Sequence, residues 1–128
     1  MNPHNRHITM VTGIAFALLL LAAGTVSSQP SGQAEQDIQH LIAYVSGSGL
    51  RFVRNTSEYT PSQAAAHMEM KYRHFHDDIE TAEDFIELCA TKSLLSGKPY
   101  LVIDWQGQER RTSDWLRAEL AAWQARSQ

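Results

Sequence analysis

Residues 73–78, Arg-His-Phe-His-Asp-Asp, place two imidazoles and two carboxylates within five positions. Those are zinc-ligand types, so the segment raises the question of a metal site. A helix turns roughly 100° per residue, so with Phe75 at zero His74 falls near −100° and His76 near +100°. The two imidazoles therefore point to opposite flanks, and Asp77 points away from the core. Only His74 and Asp78 share a flank, and two ligands are too few for a firm zinc site. The segment reads as a solvated helix end with a local His–Asp contact. Neither a metal nor another cofactor is expected.

On the same reference, His67 and Lys71 fall at roughly −80° and −40°, in one polar stripe with His74 and Asp78. That stripe runs beside the apolar one formed by Met68, Tyr72, Phe75 and Ile79. On the next helical segment, with Phe85 at zero, Lys92, Ser96 and Ser93 fall at roughly −20°, +20° and +80°, inside the apolar arc. Buried hydroxyls and amines need partners. The end of that helix is therefore expected to meet other polar groups or to open onto a cleft.

The elements that must position these residues follow from periodicity and punctuation. Residues 34–46 read as a helix with Ile38, Leu41, Ile42 and Val45 on one face, ended by Gly47 and Gly49. Residues 50–54 read as a short strand with Leu50 and Phe52 on one face and Arg51 and Val53 on the other, and 55–58 as a turn. Thr60, Pro61 and Gln63 open a second helix with a capping box, running to about Ile79. Thr81 and Asp84 form a second capping box, and that helix is expected to reach about Leu95 with Phe85, Ile86, Leu88 and Cys89 inward. Gly97 and Pro99 stop it. Residues 100–105 read as a strand and 106–111 as the return from it. The last helix is expected to be capped by Thr112 or Ser113 and to bury Leu116, Leu120 and Trp123. Trp105, Trp115 and Trp123 are all expected to pack, with Trp115 on a flank where exposure would mark a contact surface. The fold expected is α+β: four helices on a small two- or three-stranded sheet built from 50–54 and 100–105.

The chain has 128 residues, enough for one small domain. Its start is a separate matter. Residues 8–26 carry no charge and follow a polar start containing Arg6. A basic start, an apolar run and then small residues form the pattern of a secretory signal peptide. Val26 and Ser28 suit cleavage after Ser28, and Ala34 marks a second candidate cut. Residues 1–28 are thus expected to be a signal peptide, 29–33 a polar linker and 34–128 one domain. The rival is an uncleaved anchor, since the uncharged run can just span a bilayer. No cysteine follows the run, which excludes a lipoprotein anchor. The formal charge is −3, and loss of Arg6 makes it one unit more negative. That balance argues against nucleic acid or anionic lipid as a general partner. The single cysteine, Cys89, cannot form an internal disulfide. It lies in the apolar arc and reads as a small buried hydrophobe. Arg110 and Arg111 read as a solvated basic spot.

Four segments together resemble the YfeK-like proteins, small exported bacterial proteins of unknown function. They are Phe-Val-Arg-Asn at 52–55, Ala-Ala-Ala-His-Met-Glu-Met-Lys at 64–71, Ile-Glu-Thr-Ala-Glu-Asp-Phe-Ile at 79–86, and Ser-Leu-Leu-Ser-Gly-Lys-Pro-Tyr at 93–100. The resemblance implies a signal peptide, a periplasmic address and a single domain, and it brings no activity. The family pattern matches at Arg54, Asn55, His67, Lys71, Ser93 and Gly97, with Ser96 where the family has serine or threonine. It has glycine where this chain has Thr56, which puts a tight two-residue turn there in doubt. His74, His76 and Asp77 are not part of it.

Three functions fit these residues. In the first, Arg54, Asn55, His67, Lys71, Ser93, Ser96 and Tyr100 converge on a cleft that binds a carboxylate or phosphate without catalysis. Its partner would be a small anionic ligand, a peptide or an envelope protein. In the second, the same residues satisfy one another and the backbone, and only specify the fold. In the third, a small hydrolase uses His67 as base and Ser93 as nucleophile, with Lys71 or Arg54 stabilising an oxyanion. That third reading requires Ser93 within hydrogen-bond distance of His67.

Overall fold

The computed structural model describes residues 30–128. The expected signal peptide and the first residue of the expected linker lie outside them. The α+β class holds, with four α-helices and one four-stranded antiparallel sheet, in the order β2-β1-β3-β4, among the described residues. Helix α1 spans Gly32–Ser46, and Ser31 caps it by accepting from the Ala34 amide. Most of the expected linker is therefore cap and first turn. Its stripe of Ile38, Leu41, Ile42 and Val45 is buried as the spacing requires.

Strand β1, Arg51–Arg54, turns directly into β2, Ser57–Tyr59, with Arg54 opposite Ser57. The expected four-residue turn is thus a two-residue hairpin loop of Asn55 and Thr56, both at positive φ (50° and 68°). Left-handed backbone at both positions is the type I′ arrangement, which matches the twist of the flanking strands. Asparagine tolerates that region, but β-branched threonine does not. The hairpin forms despite Thr56. Thr56→Gly is accordingly expected to raise stability by about 1 kcal/mol, a gain of several degrees in Tm. A thermal melt showing no gain would mean that the turn relaxes freely around threonine.

Helix α2, Pro61–Phe75, carries the expected Thr60–Gln63 capping box, and a 3₁₀ turn, His76–Asp78, follows it. The α-helix stops at Phe75, before the i, i+4 spacing of His74 and Asp78 is complete, and among the described residues the two form no ion pair. Helix α3, Ala82–Cys89, carries the Thr81–Asp84 capping box. It ends well short of Leu95. The Thr91 hydroxyl donates to the Ile86 carbonyl at 2.9 Å, and the chain doubles back, with the Ser93 amide bonded to the Lys98 carbonyl and the Tyr100 amide to the Thr91 carbonyl. Pairing between 91–93 and 98–100 replaces the last two helical turns. Lys92, Ser93 and Ser96 therefore lie on a loop, not in the apolar arc of a helix.

Strand β3, Leu101–Ile103, pairs with β1 and with β4, Glu109–Arg111. The expected return loop thus contributes a strand. Phe52 and Val102 oppose each other across the ladder and face the helical core, while Val53 and Leu101 on the other face are half-buried. Asp104 ends β3 by accepting from the Gln106 and Gln108 amides. Trp105 therefore sits in a turn, 78% exposed, contrary to the packing role expected for it. Helix α4, Thr112–Arg126, continues straight from β4 and has no side-chain cap. Neither Thr112 nor Ser113 caps it, because both already lie in its first turn and the cap position falls on Arg111; the Thr112 amide is bonded instead to the Tyr100 carbonyl at 2.9 Å. Trp115 is buried against Tyr44 and Phe52, and Trp123 is half-buried with its ring on His40.

Candidate functional site

Six of the seven candidate residues line one open cleft of about 480 Å³: Arg54, Asn55, His67, Lys71, Ser93 and Tyr100. Helix α2 supplies His67 and Lys71 one turn apart, the β1–β2 hairpin supplies Arg54 and Asn55, and the loop after α3 supplies Ser93 and Tyr100. Ser96 stands beside the cleft and donates its hydroxyl proton to Asn55 Oδ1, tying the loop to the hairpin.

Lys71 is buried, yet among the described residues neither it nor Arg54 forms an ion pair. Lys71 Nζ donates to the Lys92 carbonyl at 3.2 Å and to Tyr100 Oη at 3.3 Å. An ammonium can only donate, so Tyr100 Oη is the acceptor there, which leaves its own proton free for His67 Nε2, 3.1 Å away. His67 is then neutral, with its proton on Nδ1. Burial and the nearby Arg54 and Lys71 charges push its pKa down to about 4, which agrees with a neutral ring. Burial also lowers the Lys71 pKa and raises that of Tyr100. The Arg54 guanidinium rests over the Tyr59 ring, 4.5 Å from its centroid.

The uncommitted polar groups on the residues lining this cleft are thus mainly donors: the second His67 nitrogen, the third Lys71 proton, the Arg54 fork and the Asn55 amide. Among the described residues no carboxylate lines it. A smaller cavity of about 30 Å³ adjoins it, sharing Arg54, Tyr59, His67 and Tyr100, and walled mainly by apolar groups such as Phe52, Ala64 and Met68.

The His67–Ser93 pair required for a hydrolase does not form. His67 is engaged by Tyr100, and Ser93 Oγ accepts from the Leu95 and Ser96 amides, closing its own turn at Gly97. Cys89 is fully buried, and burial pushes its thiol up to about 12. Near the chemistry-bearing segment 73–78, the His76 ring is 3.7 Å from Asp77. Among the described residues no three His, Cys, Asp or Glu side chains converge as metal ligands.

A second polar cluster escaped the sequence reading. Asp37 of α1 is buried and accepts from Gln33, Trp123 and Gln124, while Tyr72 of α2 donates to Glu35. His40 stacks on Trp123 and contacts Glu119, which also takes Arg126. This cluster fastens the end of α4 to α1. Its signal was present: Asp37 lies three residues after Ala34 and four before Leu41, on the edge of the apolar stripe. A carboxylate there demands donors from another element.

Residues 32–124 match a family of unknown function, DUF5329. Over 51 residues the chain is 39% identical to "Uncharacterized protein YfeK" of Salmonella typhimurium (strain LT2), which supports the YfeK-like resemblance. That match covers 40% of this chain and 42% of the relative, so the chain spans less than half of the relative's length. No solved structure matches the chain.

Proposed function

The chain belongs to the DUF5329 family, whose function is unknown, and we propose that it is a non-catalytic binding module for an anionic group. The observation that carries this reading is a buried lysine and an arginine lining one cleft to which no carboxylate among the described residues belongs. A cation held out of water without a counter-charge is costly to the fold, and an anionic ligand offsets that cost. Neutral His67 contributes a donor without adding a third repelling charge.

The test is an NMR titration of the purified protein with acetate and with inorganic phosphate. Shifts are expected at Arg54, His67, Lys71 and Tyr100. Lys71→Met is expected to weaken binding about tenfold or more while leaving Tm unchanged or raised. A purely structural role is favoured by one observation, that Asn55, Ser93 and Ser96 spend their hydrogen bonds on holding the loop. It makes the opposite demand: Lys71→Met would lower Tm by several degrees, because the Lys92 carbonyl loses its donor, and neither anion would bind.

Export to the periplasm completes the proposal. It rests on the uncharged run at 8–26 and the small residues after it. Ser31 and buried Ala34 belong to the first turn of α1, so a cut after Ala34 would remove the cap, which favours the cut after Ser28. N-terminal sequencing of the protein from a periplasmic extract is expected to begin at Gln29. Recovery in the membrane fraction with the original start would support the uncleaved anchor instead. No helix among the described residues is long and apolar enough to cross a membrane.

A further inference from the structure

We infer that the cleft captures the free carboxyl end of a peptide whose last residue is small and whose preceding residues are apolar. This rests on the anion-binding reading above and names its ligand class. Four large hydrophobic side chains are exposed among the described residues, and three of them, Met70 (53%), Leu94 (68%) and Leu95 (95%), border this one cleft. A donor-lined floor with an apolar rim fits a ligand that is anionic at one end and apolar beyond it. Inorganic phosphate or a nucleotide would leave that rim unused.

The adjoining cavity sets the size of the terminal group. It shares Arg54 and His67 with the cleft, so a carboxylate on those two donors places its neighbouring substituent at the cavity. At about 30 Å³ it has room for roughly two methyl-sized groups. Thr112, fully buried with Oγ1 unpartnered, also lines it and offers one hydroxyl to a terminal serine, while an alanine methyl fits the same space without using it. A long acyl chain finds no enclosed chamber here, whereas two apolar side chains can lie across Met70, Leu94 and Leu95. Carboxyl-end capture by clustered donors is a known mode of peptide recognition.

Isothermal titration of the purified protein tests this with acetyl-Leu-Leu-Ala as the free acid, its C-terminal amide, acetyl-Leu-Leu-Trp as the free acid, acetate and dodecanoate. The alanine acid is expected to bind about tenfold or more tighter than each of the others. Ala64→Met, which fills the small cavity, and the double change Leu94→Ser/Leu95→Ser, which strips the rim, should each weaken it about tenfold and leave acetate binding unchanged. The rim variant is on an exposed loop, so it serves even if the cavity variant fails to fold. If acetate binds and the alanine acid binds no tighter, this inference falls and the anion-binding reading stands. If dodecanoate binds tighter than the peptide, the ligand is a lipid and the inference falls. If nothing binds, both readings fall.

Discussion

Asp37→Ala is expected to destabilise the domain by about 3 kcal/mol, which for roughly 100 residues lowers Tm by ten degrees or more. Asp37 is 3% exposed, and its two oxygens take Gln33 Nε2 at 2.9 Å, Trp123 Nε1 at 3.1 Å and Gln124 Nε2 at 3.0 Å. Alanine leaves three donors without their ionised acceptor. The two glutamine amides are on exposed residues and can return to water, whereas the indole stays packed against His40, which keeps the loss below the sum of three charged bonds. Asp37→Asn keeps an acceptor on one side but sets an amide against the other donors, and should cost about half as much. Chemical denaturation of the three proteins measures both. Acidification supplies a second reading. Burial works to raise the Asp37 pKa, but the bonds from Gln124, Gln33 and Trp123 outweigh it and hold it below the usual value. A depressed carboxylate contributes stability that is complete above its unfolded pKa, about 3.9, and is lost as pH falls below that. The gap between wild type and Asp37→Asn should therefore be constant near neutrality and shrink below about pH 4. A loss under about 1 kcal/mol for the alanine variant would show that the α1–α4 cluster behaves as an exposed surface contact.

Phe85→Ala is expected to cost about 4 kcal/mol and to loosen the cleft as well as the core. Phe85 is fully buried at the middle of α3 and meets the Tyr72 ring edge-on at 5.8 Å between centroids. Helix α3 has only eight residues, too few to hold itself together, so Phe85, Ile86 and Cys89 must anchor it. The segment after it, 91–100, carries Ser93, Leu94, Leu95 and Tyr100 into the cleft. Hydrogen exchange of the variant should therefore speed up at the Ser93, Gly97 and Tyr100 amides while the β1–β2 amides keep their protection. Unchanged exchange at Tyr100 would show that the sheet, through the Thr112–Tyr100 bond, holds the loop without α3.

The split between site and scaffold runs through the seven candidate residues. Arg54, His67, Lys71 and Tyr100 form or adjoin one donor chain, with Lys71 giving to Tyr100 and Tyr100 to His67. Asn55, Ser93 and Ser96 hold the hairpin and the loop in place beside it. The partner that orients His67 is the Tyr100 hydroxyl, 33 positions away.

What the sequence determined by itself was whatever depends on residues a few positions apart. The α1 stripe, the capping boxes at Thr60 and Thr81, the alternation of β1 and the burial of Cys89 all rest on spacing or on bonds between i and i+3. The convergence of polar residues on a cleft was legible too, though partly for the wrong reason, since Lys92, Ser93 and Ser96 were placed on a helix that stops at Cys89. Only the tertiary structure decided where α3 ends, that Ser57–Tyr59 and Glu109–Arg111 are strands, that Thr56 accepts a left-handed backbone, and that Asp37 finds three donors. Each of these is a competition between local preference and a partner distant in the chain. A backbone or side-chain bond to a remote residue is made only once the fold has brought the two together, and no local periodicity records it in advance.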